Sequence, residues 1–214
     1  MISLISKLDR MKLRVFIFLV MVVFCSIIAQ ELQTPDDPLE RIERFTQVFN
    51  ASKDGDPMVS FRDYRNLMNV VEKHREARLV DLETFVSMSQ QEDVIILDAR
   101  AEDLYKSSHI KGAVNLPFTK FTQQNLMRVI PNPETKILIY CNNNIQNDPI
   151  NFALKTAIPA NNQPLMLALN IPTYINLYGY GFKNVYELND VIDVLVSRMD
   201  TSYIQFEGTS VPEK

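Results

Sequence analysis

The chain has 214 residues with two cysteines, no tryptophan and a formal charge of −4. That length suits one domain with an appendage, and 46% hydrophobic with 22% charged residues is a globular composition, not a disordered one. A sequence pI near 5.3 leaves no basic footprint for nucleic acid, and two cysteines exclude both a disulfide-rich scaffold and a four-thiolate zinc site.

Lys7, Arg10, Lys12 and Arg14 precede an apolar run from Val15 to Ala29. A basic flank, about 15 apolar residues and a small residue at the end are the parts of a secretory signal, whereas a membrane span needs roughly 20. The expectation is a signal peptide over residues 1–29, cleaved after Ala29, then a periplasmic or secreted protein with no stable membrane insertion. An uncleaved anchor is one alternative. A lipoprotein through Cys25 is another, although Phe24 is large for the position before a lipidated cysteine. Cleavage removes four basic residues and one acidic residue, leaving 185 residues with 18 basic against 25 acidic. It also leaves Cys141 as the one cysteine, which in an oxidising compartment has no internal disulfide partner.

Residues 30–39 read as a polar, proline-bearing linker. Leu39, Ile42, Phe45 and Phe49 at helical spacing predict a helix over Pro38–Asn50. A second helix is predicted over Phe61–His74 with Tyr64, Leu67, Met68 and Val71 on one face, and a short third over Asp81–Met88 with Leu82, Phe85 and Val86 inward. Between the first two, Asn50, Ser52, Asp54 and Gly55 followed by Asp63 resemble an EF-hand loop. Two extra residues intervene and the last acid is Asp rather than a bidentate Glu. The segment is therefore read as a degenerate loop that turns the chain, with calcium binding as the alternative and no metal site assigned.

After residue 90 the period changes. Asp93–Asp98, Lys136–Tyr140 and Asn184–Leu188 are continuous apolar runs rich in branched residues, as expected of strands buried on both faces. Helical stretches lie at Ala101–Ser107, Thr119–Val129 and Ile171–Tyr180. This alternation predicts an α/β fold, a parallel sheet flanked by helices.

Asp98-Ala-Arg100, then Tyr105, then His109-Ile-Lys-Gly112-Ala113-Val-Asn115-Leu-Pro117 resembles the rhodanese-like domain, with Ser108 where that family usually has glycine. Ile137-Leu-Ile-Tyr-Cys141 is similar to the strand that leads to the family's catalytic cysteine, and Leu177 to Val185 to its last helix and strand. The resemblance implies a rhodanese-like sheet over residues 76–200, behind a helical extension over 30–75 and ahead of a tail over 201–214. It implies that Cys141 takes a sulfane sulfur from a donor such as thiosulfate, carries it as a persulfide and passes it on. The partners would be a small sulfur-containing anion and a thiol acceptor, and no cofactor is implied. Asp98 and Arg100 would be structural, through an ion pair or backbone hydrogen bonds near the site, and His109 would pack and hydrogen-bond rather than catalyse.

The residues after the cysteine depart from the pattern. Family enzymes commonly place glycine and arginine there, but this chain reads Cys141-Asn142-Asn143-Asn144 and has no glycine between Ala113 and Tyr178. Asparagine tolerates the left-handed region, so Asn142, Asn143 and Asn144 are expected to make a tight anion-cradling turn. Positive charge is missing unless Lys155 or Arg100 reaches in. The active-site helix is expected to start with Asn170 as N-cap and Pro172 in its first turn, 28 residues after the cysteine loop opens (142–169). Within that insertion Asp148 and Pro149 suit a helix start. Ile150, Ala153, Leu154, Ala157 and Ile158 fall on one face, predicting a lid helix over residues 148–158 beside the thiol. The competing reading is a binding module that keeps the fold and has lost the cradle.

Overall fold

The computed structural model describes residues 59–158, 163–200 and 202–211. The signal segment, the helix expected over Pro38–Asn50 and the calcium-loop residues Asn50, Ser52 and Asp54 lie outside them. Asp63 lies inside. It sits in the first turn of helix α1 (Phe61–Glu76), where its backbone N–H donates to the Ser60 side chain. Among the described residues no group of His, Cys, Asp and Glu side chains is placed to hold a metal ion, and no helix is long and apolar enough to cross a membrane.

After α1 come β1 (Leu79–Val80), α2 (Leu82–Ser89), β2 (Val94–Asp98), α3 (Glu102–Ser107), β3 (His109–Ile110) and β4 (Val114–Asn115). There follow α4 (Gln123–Val129), β5 (Lys136–Tyr140), β6 (Ile145–Gln146), β7 (Thr156–Ala157) and β8 (Leu165–Met166). The chain closes with α5 (Asn170–Gly179), β9 (Val185–Leu188), β10 (Ile192–Asp193), α6 (Val194–Met199) and β11 (Phe206–Glu207). The expected parallel sheet is present: five strands in the order β1-β9-β5-β2-β4, every pairing parallel.

Strand alternation divides the core in two. Leu97, Ile137, Ile139 and Val185 face α1, α4 and α5 through Val71, Leu126, Tyr174 and Leu177. Ile96, Leu138, Tyr140 and Leu188 face the other way, onto Phe85 of α2 and Val194 of α6. Because successive side chains point to opposite faces, a strand covered on both must be apolar throughout. The interior strand β5 has only its first residue partly exposed.

Several expectations are corrected. The Thr119–Val129 helix is two pieces, a 3-10 turn over Phe118–Lys120 and then α4, which is capped by the Thr122 side chain. The predicted lid helix does not form. Asp148 does accept from the Asn151 N–H, and one helical turn closes when the Phe152 N–H donates to the Asp148 carbonyl. The chain then runs out extended into β7, which pairs antiparallel with β8. Ile150, Leu154 and Ile158, the expected buried face, are 86%, 64% and 72% exposed, while Asn151 and Phe152 between them are buried. The cause is tertiary. The Asn142 side chain donates to the Ala153 carbonyl, and Asn143 exchanges two hydrogen bonds with the backbone of Lys155, engaging groups that a helix would need for itself.

Both flanks of the domain pack onto it. Helix α1 belongs to the same compact unit as the sheet. The C-terminal residues expected as a tail instead form β11, antiparallel to β3, with Ile204 buried.

Candidate functional site: a buried thiol at the carboxyl edge of the sheet

Cys141 directly follows strand β5 at its carboxyl end, where open parallel sheets present their ligand sites. The 3-10 turn Asn142–Asn144 follows at once. The Leu169 N–H, at the start of α5, donates to Cys141 Sγ at 3.2 Å. The thiol therefore sits at the N-terminus of α5 and not at the Asp148 turn, as expected. The cap itself differs: Leu169 occupies that position without a side-chain bond, and Asn170 is the first helical residue. Asn170 instead donates to Asn144 Oδ1 at 2.9 Å.

The three asparagines make a scaffold rather than a left-handed cradle. Among the described residues the one non-glycine residue with positive φ is Asn147, at 67°. Asn142 holds the insertion at Ala153, and Asn143 holds it at Lys155. Asn144 accepts from the Cys141 N–H at 3.1 Å and donates to the carbonyls of Leu188 and Asp190. One side chain thus joins the cysteine turn, α5 and the end of β9. An Asn-rich turn can do this because each carboxamide both donates and accepts.

Burial pushes the Cys141 thiol above its ordinary pKa. The backbone N–H groups of Leu169, Asn142 and Asn143 pull it down, and the nearby Asp98 carboxylate pushes it up. The upward effects win, so the surroundings favour the neutral thiol.

Arg100 does not supply the missing charge. Its Nε and Nη2 donate to the Asp98 carboxylate, with Nη2 at 2.6 Å from Oδ2, forming the expected ion pair. Nη1 donates to the Asn151 carbonyl and Nη2 also to the Ser108 carbonyl, while Phe152 lies 4.2 Å from the guanidinium carbon. The Tyr140 hydroxyl donates to Asp98 Oδ2 at 2.5 Å. Asn151, Phe152 and Tyr140 were not singled out by the sequence. The one available signal was Asp148-x-x-Asn151, a capped turn placing Asn151 and Phe152 together. The Ser108 substitution is accommodated because its φ is −160°, extended backbone open to any residue.

His109 is not in the wall of the cavity beside the sulfur. Its ring stacks on Tyr105 at 3.7 Å, with Nδ1 2.7 Å from the Tyr105 carbonyl and Nε2 3.2 Å from Glu207.

A cavity of about 260 Å³ opens beside the thiol, lined by Ala99, Ala101, Leu104, Pro117, Phe118 and Leu169, together with Arg100, Thr119, Cys141, Asn142 and Lys155. Its walls are almost entirely apolar. Lys155 stands exposed at its edge.

A model of the rhodanese-like domain matches residues 81–192, just over half of the chain. The chain belongs to the rhodanese-like domain family. The matched span of this rhodanese-like domain opens at Asp81, the cap of α2, and closes at Ile192 in β10, so α1 and β11 are additions to it. Its chain is similar to a thiosulfate sulfurtransferase of Pseudomonas aeruginosa, with 18% identity over 68% of this chain and 23% of that one and a TM-score of 0.43. It is also similar to the BH2092 protein of Bacillus halodurans, with 19% identity, 66% and 87% coverage and a TM-score of 0.40. The Alr3790 protein of Anabaena is similar at 18% identity, 62% and 94% coverage and a TM-score of 0.38. No curated protein matches the rhodanese-like chain.

Proposed function

We propose that this protein is exported and transfers sulfane sulfur through a persulfide on Cys141. The observation that carries the reading is the placement of the thiol: it ends a central parallel strand, accepts a backbone N–H at the start of α5 and opens on a cavity. A sulfur held there is oriented by fixed dipoles, which favour negative charge as it develops during attack on a donor. Export follows from the basic flank and apolar run up to Ala29.

The competing reading is a binding module without turnover. The upward push of burial on the thiol and the commitment of Arg100 to protein partners favour it. One experiment separates the two. The full chain is incubated with thiosulfate or with inorganic polysulfide and weighed. Sulfur transfer predicts a mass gain of one sulfur atom that Cys141→Ser abolishes; a thiol unmodified by either reagent leaves the binding module.

A further inference from the structure

The Cys141 cavity has no uncommitted, buried charge to offer a dianion. The guanidinium of Arg100 is committed to Asp98 and to two backbone carbonyls, and the Leu169 N–H is directed at the sulfur itself. Lys155 is the remaining cation of the lining and is exposed to water. Thiosulfate entering between Ala99, Ala101, Leu104, Pro117 and Phe118 would lose hydration without an opposite charge against it, and an uncompensated buried charge is strongly unfavourable.

A second observation points the same way. Asn142 lines this cavity and is 1% exposed, yet its Oδ1 has no hydrogen-bond partner in the protein. The orphan is the oxygen and not the nitrogen, because the other end of the carboxamide faces the Ala153 carbonyl and must donate. A buried acceptor in want of a hydrogen donor repels an oxyanion and favours a ligand that carries a hydroxyl or an N–H.

We infer that the sulfur donor is an uncharged organic polysulfide bearing a hydrogen-bond donor, and not thiosulfate. This rests on the sulfur-transfer reading and names its substrate class. In the first step Cys141 attacks the central sulfur of R–S–S–S–R. A bond forms between Sγ and that sulfur and one S–S bond of the donor breaks. The thiolate R–S⁻ leaves with the electron pair and takes up the proton that Cys141 gives up. The products are Cys141–S–S–S–R and R–SH; the released R–SH then attacks the outermost sulfur, breaking the bond to it, and leaves the persulfide Cys141–S–SH and the disulfide R–S–S–R, with no net oxidation or reduction and no further reactant.

Bis(2-hydroxyethyl) trisulfide and thiosulfate are the probes. The rate at which Cys141 of the full chain is modified by each is measured by mass at pH 7, in the folded protein and again in urea, so that intrinsic reactivity cancels. The folded-to-unfolded rate ratio is expected to be about tenfold or more higher for the trisulfide than for thiosulfate. An equal ratio, or a higher one for thiosulfate, overturns this inference and leaves sulfur transfer standing. If neither the probes nor inorganic polysulfide modify Cys141 in the folded chain, both fall.

Discussion

At Cys141 two physical effects oppose each other, and their balance sets how the residue reacts. Three backbone N–H groups favour a thiolate, while burial and the Asp98 carboxylate disfavour it and prevail. A group whose charged form is disfavoured ionises at higher pH. Alkylation of the folded protein by iodoacetamide should therefore keep rising with pH through the ordinary thiol value of about 8.5. A rate that has levelled by pH 7 would show a thiolate and contradict this balance. Arg100 illustrates a related point. Asp-x-Arg was legible in the sequence as a structural pair through its resemblance to the family motif, but the sequence did not show how many of the guanidinium's hydrogens are taken. The Asn151 and Ser108 carbonyls accept them, and Asn151, 51 residues along the chain, reaches Arg100 only through the fold.

Among the elements, α1 lies outside the matched family span, yet it is fastened to the sheet by a two-pronged ion pair. Arg75 Nε and Nη2 lie 2.5 and 2.7 Å from the carboxylate of Glu187, a β9 residue only 4% exposed. The Tyr174 hydroxyl of α5 donates to the Val185 carbonyl, and His74 Nδ1 lies 2.9 Å from that same hydroxyl. Arg75→Ala leaves the Glu187 charge buried without a partner, and urea unfolding should show a loss of about 2–3 kcal/mol. Adding Glu187→Gln should recover part of that loss, which a double-mutant cycle reads directly. The helix itself was legible over Phe61–His74 from its apolar spacing; the ion pair was not, because its partners are more than a hundred residues apart. The lid helix is the opposite case. Local spacing favoured it, and side chains of Asn142 and Asn143 on another segment outcompeted it for backbone groups.

For the molecule as a whole, closure depends on the C-terminal strand returning to β3. There Gly208 adopts a φ of +137°, and a Cβ at that position would collide with the Ser107 carbonyl. Gly208→Ala combines backbone strain with that clash, so it should lower stability by more than about 1 kcal/mol, read as a reduced melting temperature. An unchanged melting temperature would mean that β11 contributes nothing to the fold.

The alternation of helices with the three long strands and the apolar strand ahead of Cys141 were determined by the sequence, because they depend on residue periodicity, and the structural role of Asp98 and Arg100 was legible through a short motif that resembles the family's. Whether the thiol ionises, whether any cation faces it and what shape the insertion takes were decided only by the tertiary structure. These depend on burial, on how completely hydrogen bonds are satisfied and on which distant carbonyl each side chain reaches. Such quantities belong to the packed interior, and no local stretch of chain contains them.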